Sequence, residues 1–256
     1  QITPAQVAAI FGATLSAQFL GSSLNAMRFD WKSPVVTALS LSLLLRADGL
    51  LPLIVAASIA IGSKFALRLN GKHIFNPANI GIVSMILLTH SAWTTPGQWG
   101  TAMWFAIVIA GLGALVTSRA GRLDAPLVFL GTYAILVLGR AFFLGDPLSI
   151  PLLHLKSGAL ILFAFFMLSD PKTTPDGQRW RMAFTAGVAI IAYVLAYHFY
   201  ISDGAFYALA ALCLIRPLIE IFDAAPAYQW RDEPMRLELP PIGRAGVRRP
   251  IFAPAE

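Results

Sequence analysis

LPLIVAASIAIGSKFALRLNGKHIFNPANIGIV, residues 51–83, decides the class of this protein. An apolar run of membrane-spanning length is followed by Arg68, Gly71 and Lys72, and then by Asn76-Pro77 and a second apolar run. Pro77 lacks an N–H and disfavours helix at Asn76. Helix is therefore expected to restart at Pro77 with Asn76 as its N-cap and Asn79 on the same turn. Such a start offers free N–H groups and a partial positive charge, which suit an anion or a carbonyl. A capped helix start with no ligand explains the spacing equally simply.

The whole chain reads the same way. Of 256 residues only 12% are charged and 57% are hydrophobic, with a mean hydropathy of +0.69. Soluble domains carry about 25% charged residues, so an ordinary soluble enzyme is excluded. Cys213 stands alone, which excludes an internal disulfide, a four-cysteine cluster and a Cys-x-x-Cys zinc site. Nine apolar segments lie at about 5–26, 35–45, 50–68, 78–89, 100–118, 124–143, 152–168, 181–199 and 204–222. Segment 5–26 is too long and too weakly basic for a signal peptide and reads as a membrane helix. Segments 35–45 and 78–89 are too short to cross about 30 Å of hydrocarbon, and read as half-helices or as helices extended by polar flanks.

Net charge is +6, yet no basic patch interleaved with aromatics points to nucleic acid. Lys and Arg follow alternate segments: Arg28 and Lys32, Arg68 and Lys72, Arg119 and Arg122, then Lys172, Arg179 and Arg181, and the arginine-rich tail. That alternation orients nine crossings with a cytoplasmic C-terminus in a bacterial inner membrane. An odd count places Gln1 outside, and one further preceding helix would return the N-terminus inside. The expected organisation is a helical domain over 1–223, with repeat halves at about 33–118 and 124–222, and a polar Pro/Arg-rich cytoplasmic tail over 224–256. The repeat rests on Pro34 and Pro126, Arg46-Ala47 and Arg140-Ala141, and Asn76-Pro77 and Asp170-Pro171. Whether the halves are parallel or inverted stays open.

A second unusual stretch is LFAFFMLSDPKTTP, residues 162–175. Asp170, Lys172, Thr173 and Thr174, fixed by two prolines, offer polar groups to a ligand or cation; a surface turn capping the next helix is the alternative. Arg46 and Arg140 lie near segment ends, where snorkelling is the default. Lys64 and Lys156 sit deeper, where an ionisable group usually marks a site. His154 and His198 read as structural histidines rather than haem ligands. Phe165, Phe166, Tyr193, Tyr197, Phe206 and Tyr207 are of the type that stacks on an isoalloxazine ring, but serve packing more often.

Residues 71–83 and 162–175 together, with Arg216-Pro217-Leu218-Ile219-Glu220, resemble the RnfD/NqrB family. The resemblance covers about residues 33–222 and is closest to short stand-alone members. It implies an all-α polytopic bundle of about nine to ten helices in two repeated halves, with broken or half-helices. It also implies an integral membrane subunit of an electron transport complex, flavin-mediated electron transfer and cation movement, with other membrane or redox subunits as partners besides the lipid bilayer. Lys72, Asn76, Asn79, Asp170, Thr173 and Thr174 are the expected cofactor-binding residues; no catalytic or metal residue is singled out. Family members esterify FMN to Thr in Ser-Gly-Ala-Thr, whereas here Ser157-Gly158-Ala159 precedes Leu160. No covalent FMN is expected, and a non-covalent flavin, FMN or riboflavin, is the cofactor left open. A stand-alone transporter or channel for a small polar solute or flavin, and a structural subunit of a larger assembly, are the alternatives.

Overall fold

The computed structural model describes residues 2–69, 71–89, 91–95, 103–222 and 225. The tail expected over 224–256 lies outside the described residues, except for Ala225. Ten helices and four short strands follow in order: α1 Pro4–Leu24, α2 Lys32–Leu44, β1 Leu45–Ala47, α3 Leu51–Ala66, β2 Arg68–Leu69, β3 Lys72–His73, α4 Pro77–Leu88, β4 Ala92–Thr94, α5 Met103–Arg119, α6 Asp124–Leu144, α7 Ser149–Leu155, α8 Gly158–Leu162, α9 Gln178–Tyr197 and α10 Gly204–Ile221. α8 runs on into a π-helical turn over Phe163–Met167, marked by the bond from Leu168 N–H to the Phe163 carbonyl at 2.9 Å.

All nine apolar segments fall on helix. α1, α6, α9 and α10 are each long and apolar enough to cross a membrane. The segment expected at 152–168 is broken instead: α7 and the α8–π unit meet at a 43° bend and together make a fifth candidate span. This is a multi-pass membrane protein. α2 and α4, at 13 and 12 residues, reach only about 20 Å each. Each continues into an extended segment, β1 or β4, and these pair antiparallel in the register Leu45↔Thr94, Arg46↔Trp93, Ala47↔Ala92. The ladder continues through Asp48 N–H to the Ser91 carbonyl at 2.8 Å. Non-helical backbone within a membrane protein must be satisfied internally, and this ribbon does so for both half-helices.

The caps explain the boundaries. Thr3 and Gln6 form a reciprocal capping box at the start of α1, with Pro4 in the first turn. At α4 the Asn76 side chain accepts the Asn79 N–H at 3.1 Å, as its placement before Pro77 requires. Gly71, at φ +80°, turns the β2–β3 hairpin and sends Lys72 and His73 inward. Gly121, at φ +63°, closes α5, and Arg122 N–H returns to the Thr117 carbonyl at 2.8 Å.

α1, α2, α3 and α4 pack as one group, α6, α9 and α10 as another, and α4 against α10 joins them. Lys64, expected as a deep charge, donates to Gln18 Oε1 at 2.9 Å and Ser33 Oγ at 2.7 Å, tying α1, α2 and α3. Lys156 is exposed at the α7–α8 break. The points that suggested a repeat sit in unlike surroundings: Arg46 is in a strand and Arg140 inside α6, while Asn76-Pro77 opens a helix and Asp170-Pro171 follows one.

At Gly81, α3 and α4 nearly touch: a Cβ there would lie 2.7 Å from the Ala56 carbonyl oxygen and 2.9 Å from the Ala60 Cβ. Gly81→Ala should therefore lower stability by about 1–3 kcal/mol, through overpacking against backbone that cannot yield. Gly12→Ala, with no atom within 4 Å of its added Cβ, should not destabilise. Thermal unfolding of the two variants in one detergent measures the difference.

Candidate functional site

The two unusual stretches meet. The β2–β3 hairpin and the start of α4 supply Lys72, His73, Asn76 and Asn79; the loop after the π-turn supplies Asp170, Thr173, Thr174 and Asp176. Asn76 Nδ2 donates to Asp170 Oδ2 and to the Met167 carbonyl, both at 3.4 Å. His73 Nε2 lies 3.3 Å from the same carboxylate oxygen. Lys72 donates to Asp176 and, at 3.0 Å, to Glu220 Oε1. Asn79, fully buried, reaches across to α10 and donates to the Phe206 carbonyl at 3.1 Å.

Thr173 and Thr174 serve the loop itself. Both hydroxyls donate to the Asp170 carbonyl, at 3.2 and 3.0 Å, and both residues are fully buried. Asp170 Oδ1 accepts the Lys172 amide at 3.0 Å, while the Lys172 side chain is exposed. Burial alone would raise the Asp170 pKa; the His73 hydrogen bond and charge, with the Lys172 amide, outweigh it and hold the carboxyl below its ordinary value.

Further members come from residues that the sequence presents only as orientation charges or as part of a terminal motif. Arg122 donates to Asp176 Oδ1 at 3.0 Å and to the Pro175 carbonyl at 2.8 Å. Arg181 grips Asp124 through Nε and Nη2, with a closest approach of 2.7 Å. Arg216, at 0% exposure, donates to Glu220 at 2.9 Å and to the His73 carbonyl at 3.3 Å. Arg122 and Arg181 are thus buried and paired rather than solvated. The cations Lys72, Arg122, Arg181 and Arg216 meet the carboxylates Asp124, Asp170, Asp176 and Glu220, so with neutral His73 the formal charges cancel. The signal for this was the clustering of both signs after alternate segments of a chain otherwise poor in charge.

At the opposite ends of the helices lies a cavity of about 310 Å³, lined among others by Tyr133, His154, Ser157, Phe163, Tyr197 and Phe206. Tyr197 and Phe206 belong to the aromatic set considered from the sequence; Phe165 and Phe166 do not line it. Among the described residues no Lys, Arg, Asp or Glu lines it. Phe206 connects the two regions, its ring in the cavity wall and its carbonyl on Asn79. Among the described residues no group of three His, Cys, Asp or Glu side chains could hold a metal ion.

Asp176 is shared by two buried cations, so Asp176→Asn should cost about 3–5 kcal/mol of stability in detergent by leaving both without their common carboxylate. Asp170→Asn should also destabilise, with a definite pH dependence. A lowered carboxyl contributes its full stability above the ordinary pKa of about 3.9 and loses it only as pH falls through the lower folded value. The deficit of the variant should therefore persist from neutral pH to about pH 5 and close only in stronger acid. Unfolding midpoints across that range give the curve.

A model of the NQR2, RnfD, RnfE family matches residues 88–228, more than half of the chain. The match includes 162–175 and 216–220 and lies beyond 71–83. The ion-translocating oxidoreductase complex subunit RnfD of Citrobacter koseri is 35% identical over 135 residues, 52% of this chain and 37% of that protein. The protein of the same name from Escherichia coli O1:K1 / APEC is 32% identical over 134 residues, again 52% and 37%. The chain thus matches well under half the length of these curated relatives. With a family match over most of its second group of helices, and with that group carrying the Asp170–Asp176 loop, this chain belongs to the NQR2, RnfD, RnfE family.

Proposed function

We propose that this protein is an integral membrane subunit of an ion-translocating redox complex, working with other membrane or redox subunits in the bacterial inner membrane, with the ion-paired cluster on the cytoplasmic side. The observation that carries the reading is the cluster itself. A family motif loop and the 71–83 stretch hold each other through Asn76–Asp170 and Lys72–Asp176. Structural packing alone does not call for eight ionisable side chains at one end of an apolar bundle, where each costs desolvation.

A non-covalent flavin fits the aromatic cavity better than it fits the cluster. Lys72, Asn76, Thr173 and Thr174 direct their polar atoms at protein partners, whereas the cavity offers about 310 Å³ between aromatic walls. When bound, a flavin supplies one- and two-electron transfer. The protein's own part is to clasp the ring between Phe206, Phe163 and Tyr197 and to meet its polar edge with hydroxyls of Tyr133 and Ser157. A lining without cations among the described residues favours an uncharged ring system such as riboflavin over the phosphate of FMN. Leu160 lines the same cavity and has no hydroxyl to esterify, so the link stays non-covalent. The cluster then serves the coupled cation step, with Asn79 and Phe206 as the connection between the two.

Purification in mild detergent with acid extraction tests this. Flavin in the supernatant, an unshifted polypeptide mass and a several-fold loss of flavin in Phe206→Ala are the expected results. A colourless protein without extractable flavin overturns the cofactor reading. Asn76→Ala and Asp170→Ala should lose far more activity in a reconstituted complex than folded yield; full activity in both overturns the role given to the cluster.

A further inference from the structure

Arg46 occupies the far end of the bundle from the cluster. Its place near a segment end favours snorkelling, but the side chain is only 7% exposed. Its Nη1 donates to the Ser42 carbonyl at 2.9 Å and to the Leu45 carbonyl, closing the C-terminus of half-helix α2. The other edge of the guanidinium, Nε with Nη2, is buried without a partner. One helical turn back, Ser42 Oγ is also buried and unpartnered. None of the ion pairs among the described residues includes Arg46.

A buried cation with an unmet hydrogen-bonding edge is expensive, and adding an anion is what makes it tolerable. The Nε–Nη2 edge is the fork that grips two oxygens of one oxyanion. Ser42 Oγ adds a third donor, and a tetrahedral phosphate has enough oxygens for all three where a carboxylate has two. Arg46 stands opposite Trp93 in the β1–β4 ribbon, and Trp93 is 42% exposed, with Leu50 and Leu51 exposed nearby in the chain. Tryptophan beside exposed leucines at the end of a membrane bundle marks the level of lipid headgroups.

We propose that Arg46 and Ser42 form a binding site for a phosphate-type oxyanion, supplied by a phospholipid headgroup or by free phosphate. The anion completes the cap of α2 and steadies the ribbon that joins the two half-helices. The site is independent of the redox reading above.

The test uses full-length protein delipidated in a phosphate-free detergent. Inorganic phosphate, phosphatidylglycerol and a phosphate-free galactolipid are titrated separately against the unfolding midpoint, with native mass spectrometry counting bound lipid. A rise of several degrees with phosphatidylglycerol alone supports the site with a lipid source; a similar rise with inorganic phosphate supports it with a free anion. Arg46→Met should abolish either response. Arg46→Lys should bind about tenfold more weakly, since it keeps the charge but loses the fork. Ser42→Ala leaves Arg46 in place and should weaken binding several-fold even if Arg46→Met does not fold. Equal responses to galactolipid and phosphatidylglycerol, unchanged binding in Ser42→Ala and Arg46→Lys, or a response only to an acidic partner protein would overturn the proposal.

Discussion

Asp176 between Lys72 and Arg122 is the constraint on which the arrangement turns. In a bundle this poor in charge, a cation withdrawn from water must find its counter-ion within the protein. That single requirement fixes four otherwise separate pieces of chain: the β2–β3 hairpin, the α5–α6 turn, the loop after the π-turn and the last turn of α10. Glu220 extends the same logic by accepting from both Lys72 and Arg216, and Arg216 then holds the His73 carbonyl. The hairpin is pinned from two sides while His73 and Asn76 face Asp170. The apolar helices fill the membrane, but the polar contacts decide which ends belong together.

The opposite end is held differently. Two helices stop near mid-span, and their chains continue as paired extended segments. The backbone bonds of the β1–β4 ribbon replace those that a longer helix would have made. This explains why segments too short to cross are still compatible with alternating ends: the Arg68–Asn76, Arg119–Asp124 and Asp170–Gln178 stretches gather at the cluster, whereas Thr94 bonds Asp203 at the other end.

Much of this was legible in the sequence. Hydropathy located all nine segments to within a few residues, because lipid imposes a run length that no soluble fold needs. Asn76-Pro77 located the start of α4, because proline and the N-cap act locally. The break at Ser157 was not legible: its neighbours are apolar on both sides and nothing there forbids continuous helix. Nor was the burial of Arg46, which depends on a ribbon whose second strand lies almost fifty residues away. Arg122 and Arg181 read as orientation charges because charge counts by loop carry no pairing information, and only the packed loop shows that Asp176 and Asp124 answer them. Lys72, Asn76, Asn79, Asp170, Thr173 and Thr174 were found as a group through two stretches, while the roles of the two threonines inside their own loop follow from geometry alone.

The π-turn at Phe163–Met167 places one extra residue in the ladder of its helix. Each residue turns an α-helix by about 100°, so regularising this segment would swing everything after it by roughly that angle. Asp170 would then swing off the azimuth of His73. The spacing between Gly158 and Asp170 is therefore a phase setting: a one-residue deletion anywhere within it, however conservative in composition, would rotate the carboxylate out of alignment, and a change of side chain at the same place would not.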